Sequence, residues 1–133
     1  MPDDLRARVA SFLDRFGKER DLALPPLGAD GIGHLQRGSA VVTVRVLAEQ
    51  GVLMLYARVA PAPADGKEEL LRTLLTASFT ATGDAAFALH PDTGEVYLRV
   101  LRSLFHLEYE EFEDLVHTLA TVADDWDDRL AKA

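Results

Sequence analysis

The chain contains no cysteine, which excludes a disulfide framework and any thiolate metal site. Basic charge is scarce as well: 14 Lys and Arg stand against 22 Asp and Glu, a formal charge of −8. Phosphate-backbone binding runs on clustered Lys and Arg, so nucleic acid is a poor partner, and an anionic membrane surface is equally disfavoured. Nowhere do about 18 apolar residues run together, so no segment reads as a membrane span. The opening MPDDLRARVASFL is charged and periodic, without the apolar core of a signal peptide. The expected location is the cytoplasm.

What is present suits a folded protein. The 133 residues are 48% apolar and 27% charged, close to the globular average, and a chain of this size buries about two-thirds of its unfolded surface. One domain over residues 1–133 is expected, and the surplus of negative charge would keep a sticky surface in solution.

Periodicity supplies the elements. Leu5, Val9, Phe12, Leu13 and Phe16 mark one face of an amphipathic helix over residues 3–16, with Gly17 placed as its C-cap. A connector punctuated by Pro25, Pro26, Gly28 and Gly31 follows. Three β-prone runs come next, Ile32 to Gln36, Ala40 to Ala48 and Val52 to Ala60, separated by hairpin-sized gaps that contain glycine. Pro61 and Pro63 end the run, because proline cannot donate to a ladder. Asp65 and Glu68 resemble a capping box for a second helix carrying Leu70, Leu71, Leu74, Leu75 and Phe79.

The second half has the same clarity. Ala86 to Leu89 reads as a short strand, Pro91-Asp92-Thr93-Gly94 as a tight turn, and Glu95 to about Leu104 as another strand. A long helix from about Glu108 to Leu130 carries Tyr109, Phe112, Leu115, Val116, Leu119, Val122, Ala123, Trp126 and Leu130 as its apolar stripe. The order is α-β-β-β-α-β-β-α. This is an α+β fold in which a twisted antiparallel sheet packs against helices.

The central strands carry the most informative physics. Alternation puts Val42, Val44 and Val46 on one face of the second strand and Leu53, Leu55, Ala57 and Val59 on one face of the third. Those faces await the first and last helices. The opposite faces carry Val41, Thr43, Arg45 and Leu47, then Val52, Met54, Tyr56 and Arg58, far from the clean polar face of a one-sided sheet. Either the middle helix covers them or a partner does. The partner reading is favoured, because monomers rarely leave large apolar patches open.

Catalytic chemistry is hard to assemble from this sequence. His34, His90, His106 and His117 lie in different elements and form no metal-binding or protease spacing. His90-Pro91-Asp92 falls inside a strong turn. Asp124, Asp125, Asp127 and Asp128 surround Trp126 on a helix without the glycine or distal glutamate of an EF-hand, and read as a solvated face. The segment GADGIG matches neither a dinucleotide nor a Walker loop, and no serine sits in a nucleophile elbow.

Several segments resemble the class I type III secretion chaperones of the CesT/Tir-chaperone family. Leu74-Leu75-Thr76-Ala77-Ser78-Phe79 is similar to that family's second helix, with Ser78 where asparagine is common. Gly83, Ala86 to Leu89, Asp92 to Gly94 and Val96-Tyr97-Leu98 follow in the family's order. Leu119, Val122, Ala123, Trp126 and Leu130 resemble its terminal helix. The resemblance implies an acidic homodimer that binds the N-terminal segment of a secreted effector, holds it extended and export-competent, and uses no cofactor. It implies a dimer interface including Leu71, Leu74, Phe87 and Tyr97, and an effector surface including Phe12, Leu47, Met54 and Tyr56. Two other readings stay open: a YbjN-like regulatory protein of the same fold that binds folded partners, and an enzyme in which His34, His90, His106, Asp84 and Asp92 partly converge.

Overall fold

Apolar alternation in the strands and an apolar stripe on each long helix can be buried together only by laying the helices on one face of a sheet. The computed structural model of the chain, which describes residues 2–64 and 67–131, has that arrangement. Its elements are α1 (Pro2–Glu19), β1 (Ile32–Arg37), β2 (Ala40–Leu47), β3 (Val52–Ala60), α2 (Lys67–Thr80), β4 (Ala86–Leu89), β5 (Val96–Ser103) and α3 (Tyr109–Ala131). The expected element order therefore holds. All neighbouring strands are antiparallel, in the spatial order β1-β2-β3-β5-β4. The chain leaves β3, crosses through α2 to the far edge, and returns to place β5 in the middle.

Turn chemistry fixes the register. Arg37 pairs with Ala40 across the two-residue turn Gly38-Ser39, and Gly38 has φ of 64°, the left-handed geometry such turns demand at their first central position. Leu47 pairs with Val52 across the second hairpin. A register shift between Arg58 and Ala60 bends the end of β3 just before Pro61.

One face of the sheet is the core. Val42, Val44, Leu53, Leu55, Val59, Leu98 and Val96 are almost wholly buried beneath α3 and α1. From α3 come Phe112, Val116, Leu119, Ala123 and Trp126, and from α1 Val9, Leu13 and Phe16. The two helices meet in an aromatic seam. Phe12 lies 5.4 Å from Phe112 and 5.9 Å from Tyr109, and Phe16 stands edge-on to Phe112 at 6.5 Å. The rim of the seam is polar. Tyr109 Oη donates to Glu19 Oε1 at 2.8 Å, Arg20 pairs with Glu113, and the Arg15 guanidinium lies 4.1 Å from the Tyr109 ring centroid. Hydrogen bonds from Tyr109 and Arg15 hold the Glu19 carboxyl below its usual range, while burial pushes the Tyr109 hydroxyl up.

Two local expectations change. Gly17 is not a C-cap: α1 runs on to Glu19, and Asp21 takes the left-handed turn at φ of 54°. Glycine is needed at 17 for closeness, since a Cβ there would sit 2.9 Å from the Leu22 carbonyl oxygen. In the expected capping box, Asp65 lies outside the described residues, while Glu68 stands in the first turn of α2.

The helix α2 is separate from the other two. Among the described residues, β4 is the only element its backbone approaches closely. Ser78 joins them: its Oγ accepts from the Phe87 backbone N–H at 2.9 Å and donates to the Leu74 carbonyl at 2.9 Å. An edge-strand amide is thereby satisfied by a helix side chain. Ser78→Ala should cost about 1–3 kcal/mol, the penalty for an orphaned amide in a partly buried site, and Ser78→Asn should retain most of the stability. Urea unfolding of both variants checks this. Equal losses would mean that the serine acts only through packing.

Candidate functional site

The face opposite α1 and α3 is open. Register assigns its residues in rows across the strands: Leu47 beside Val52; Arg45, Met54 and Leu101; His34, Thr43, Tyr56, Arg99 and Ala86; Val41, Arg58, Tyr97 and Ala88. Most are half-buried by their neighbours alone, while Val41 is 54% exposed and Leu101 48%. No helix is packed on this face among the described residues. Intramolecular cover by α2, the alternative left open above, does not occur.

The surface has a firm frame. Tyr56 and Tyr97 meet edge-on at 5.6 Å, and His90 lies 5.7 Å from Tyr97. Burial raises the Tyr97 hydroxyl pKa. Arg58 pairs with Glu95, and that hydrogen bond chiefly holds the Glu95 carboxyl low. At the end of the sheet where β2 turns into β3, Phe105 is 63% exposed and lies against Gly51. A Cβ on Gly51 would fall 2.5 Å from its ring, and Gly51 also has φ of 68°. The Leu104 N–H donates to the Gly51 carbonyl at 2.8 Å, and Arg8 donates to the Leu104 and Leu107 carbonyls. The loop carrying Phe105 is thus tied both to the hairpin and to α1.

A second apolar surface lies on α2. Leu75 is 71% exposed and Phe79 88%, with Leu71 half-buried one turn before Leu75 and Leu89 exposed on β4.

The expected site residues divide among these regions. Leu47, Met54 and Tyr56 lie together on the open face, whereas Phe12 is buried in the α1–α3 seam. Tyr97 is on the open face against Tyr56. Leu74 is buried under α2, and Phe87 packs on Trp126 at 5.1 Å within the core, so only Leu71 of the interface set sits near the exposed side of α2. Leu75, Phe79, Leu101 and Phe105 were not singled out as site residues in the sequence. Leu75, Phe79 and Leu101 fall on an apolar helix or strand pattern, which also suits a core residue, and Phe105 lies in a loop.

The groups an enzyme would need are dispersed. His34, hydrogen-bonded to Thr43 at 3.2 Å, and His90 lie at opposite edges of the sheet. His90 Nδ1 accepts from the Asp92 and Thr93 amides and so closes its own turn. Asp84 pairs with Arg102 at 2.9 Å, beside a cavity of about 250 Å³ between β5 and α3. Among the described residues no three His, Asp or Glu side chains come together as metal ligands, and no helix is long and apolar enough to cross a membrane. On α3, Asp124 accepts from Ser39 and Asp125 pairs with Arg129.

The placement of Phe105 is testable against an internal control. Gly51→Ala and Gly83→Ala both force alanine into left-handed backbone, at roughly 1–2 kcal/mol each, but a Cβ on Gly83 meets nothing. Gly51→Ala should therefore destabilise more than Gly83→Ala in chemical denaturation. Adding Phe105→Ala should remove the difference. If the excess persists, the ring is not what crowds Gly51.

Comparison with known proteins agrees with this architecture. The chain is similar to one in the crystal structure of the ExsC–ExsE complex, at 25% identity and TM-score 0.75, covering 91% of this chain and 92% of that one. It is similar in fold to a chain of the HopA1–SchA chaperone–effector complex, at 15% identity and TM-score 0.72, covering 95% and 96%. The E. coli protein YbjN shares the fold at 13% identity and TM-score 0.58, covering 85% and 87%. No curated protein sequence matches. The Tir chaperone protein (CesT) family profile matches residues 11–127, and the chain belongs to that family.

Proposed function

We propose that this protein is a type III secretion chaperone that covers the extended N-terminal segment of a secreted effector and keeps it competent for export. The observation that carries the reading is the open sheet face. It holds Leu47, Val52, Met54, Tyr56 and Leu101 in one contiguous area that no helix covers among the described residues. Fully burying one such side chain is worth roughly 1.5–3 kcal/mol. Beyond Ile32, whose backbone groups are taken by Gly28 and Asp30, the edge of β1 is where an added strand would pair. The similarity to a chain of a chaperone–effector complex supports the same reading. The work is binding rather than catalysis, carried out by a single domain in the cytoplasm without a cofactor.

Leu47, Met54 and Tyr56 form the centre of the proposed effector surface. Phe12, buried in the α1–α3 seam on the other side of the sheet, falls outside this surface. A homodimer would form through α2, β4 and their surroundings. There Leu71 and Tyr97 are half-buried, while Leu74 and Phe87 shape the surface from below. The most exposed apolar groups of that region, Leu75 and Phe79, would make the direct contact.

Two measurements test these assignments. Met54→Asp should weaken binding of a co-expressed effector segment at least about tenfold, the loss of one buried apolar contact, with an unchanged circular dichroism spectrum. Unaltered affinity, or global unfolding, would remove Met54 from the effector surface. Separately, Leu75→Asp with Phe79→Asp should convert a two-copy species into one copy in light scattering with an unchanged circular dichroism spectrum, and the thermal midpoint should fall and lose its dependence on protein concentration. A wild-type protein that is already monomeric, with no polypeptide co-purifying from its native host, would favour the YbjN-like regulatory reading.

A further inference from the structure

None of the five strands contains an aspartate or glutamate, although the chain has 22 of them. The strands hold five arginines instead: Arg37, Arg45, Arg58, Arg99 and Arg102. Alternation sends Arg37 and Arg102 toward the helix-covered side, where Arg102 meets Asp84 and Glu111. Arg45, Arg58 and Arg99 project on the open face.

Their positions matter. Arg45 stands opposite Met54 from β2, and Arg99 stands opposite Tyr56 from β5. The apolar pair on the central strand is thus flanked by an arginine on each side, their strands about 10 Å apart across the sheet and the two positions offset by two residues along it. Arg58 follows two residues after Tyr56 and is engaged by Glu95. Neither Arg45 nor Arg99 has an ion pair among the described residues.

We infer that the polypeptide taken up by this face is acidic: an apolar segment with Asp or Glu interleaved among its apolar side chains. The inference rests on the polypeptide-holding reading above and adds the sign of the cargo's charge. An apolar chain laid over Met54 and Tyr56 draws both arginines partly out of water, which is unfavourable unless the chain supplies carboxylates. A lysine-bearing segment would meet like charge at the centre of its contact. The remaining surface works in the same direction. Off the strands the acids far outnumber the Lys and Arg, so an acidic segment is on balance repelled there and attracted to the arginines of this face. That same acidic surround opposes nucleic acid, which would need a broad basic surface.

The test uses the full chain and three synthetic peptides that share one apolar pattern and differ only in the intervening residues: Glu, Gln or Lys. Exposed ion pairs are individually weak, so two or three together should make the Glu peptide bind about tenfold more tightly than the Lys peptide at low salt. Fluorescence anisotropy should show that preference shrinking to under about threefold near 0.5 M salt, where charges are screened within a few ångströms. Arg45→Glu with Arg99→Glu should reverse the order, and Arg45→Gln with Arg99→Gln should abolish it. The second pair settles the matter if the first does not fold.

Equal binding of all three peptides, or a preference for Lys, overturns the charge assignment and leaves polypeptide holding intact. Failure of every peptide to bind overturns both. Displacement of the Glu peptide by an equal concentration of single-stranded RNA would assign the arginines to nucleic acid and overturn the inference. Dissociation of a dimer by the glutamine pair would do the same in favour of a second copy of the chain.

Discussion

The structure depends on both long helices packing against the same face of the sheet. α1 and α3 meet in the Phe12, Phe16, Phe112 and Tyr109 seam and together bury the valine and leucine rows of β2, β3 and β5. Neither is then available for the other face. The remaining helix begins after Pro61 and Pro63 and docks at β4, on the edge. A sheet with five strands and only one covered face follows from the routing of the chain, and the apolar residues on the other face have nowhere internal to go.

The edges show a similar division. At β4, Ser78 satisfies the Phe87 amide, and α2 stands against the strand, so lateral growth of the sheet is blocked there. At the opposite edge the preceding connector engages β1 only at its start, where the Gly28 N–H donates to the Ile32 carbonyl and the Ile32 N–H donates to Asp30 Oδ1. Blocking one edge leaves the outward side of α2 free, with Leu75 and Phe79 in water. One arrangement therefore creates two unlike apolar surfaces: a broad sheet face bounded by the edge strand β1, and a narrow helix stripe beside a closed edge. A protein that had to hold an irregular chain and also pair with a second copy would need two separate surfaces of about these kinds.

Much of this was legible in the sequence, because period-2 and period-3.6 patterns report directly on burial. Val42, Val44 and Val46 announced the core side of β2, and Met54 and Tyr56 the uncovered side of β3. The placement of β5 between β3 and β4 was not legible, since strand order arises from pairings far apart in the chain. Gly17 was misread because a glycine near a helix end usually serves the cap, whereas here the close Leu22 carbonyl excludes a side chain. Phe12 looked available because a helix stripe does not reveal which of its members face a second helix. Phe105 sits in a loop, where no periodic pattern marks it. The absence of acids from the strands could be counted from the sequence, but it acquires meaning only once one face is known to be bare.

Reversible holding also sets a limit on how strong such a surface can be. The residues of the open face are already half-buried by their neighbours, so covering them recovers only part of the full burial energy of each. Many weak contacts must then be gathered along the cargo, which suits an extended chain better than a compact one. If two copies act together through α2, a segment that spans both gains effective concentration rather than new contacts. Affinity built this way is spread along the cargo and can be lost stepwise as the segment is drawn off from one end. A single deep pocket would instead have to be emptied all at once. The shallow, wide and partly charged character of the face is therefore suited to release as much as to capture.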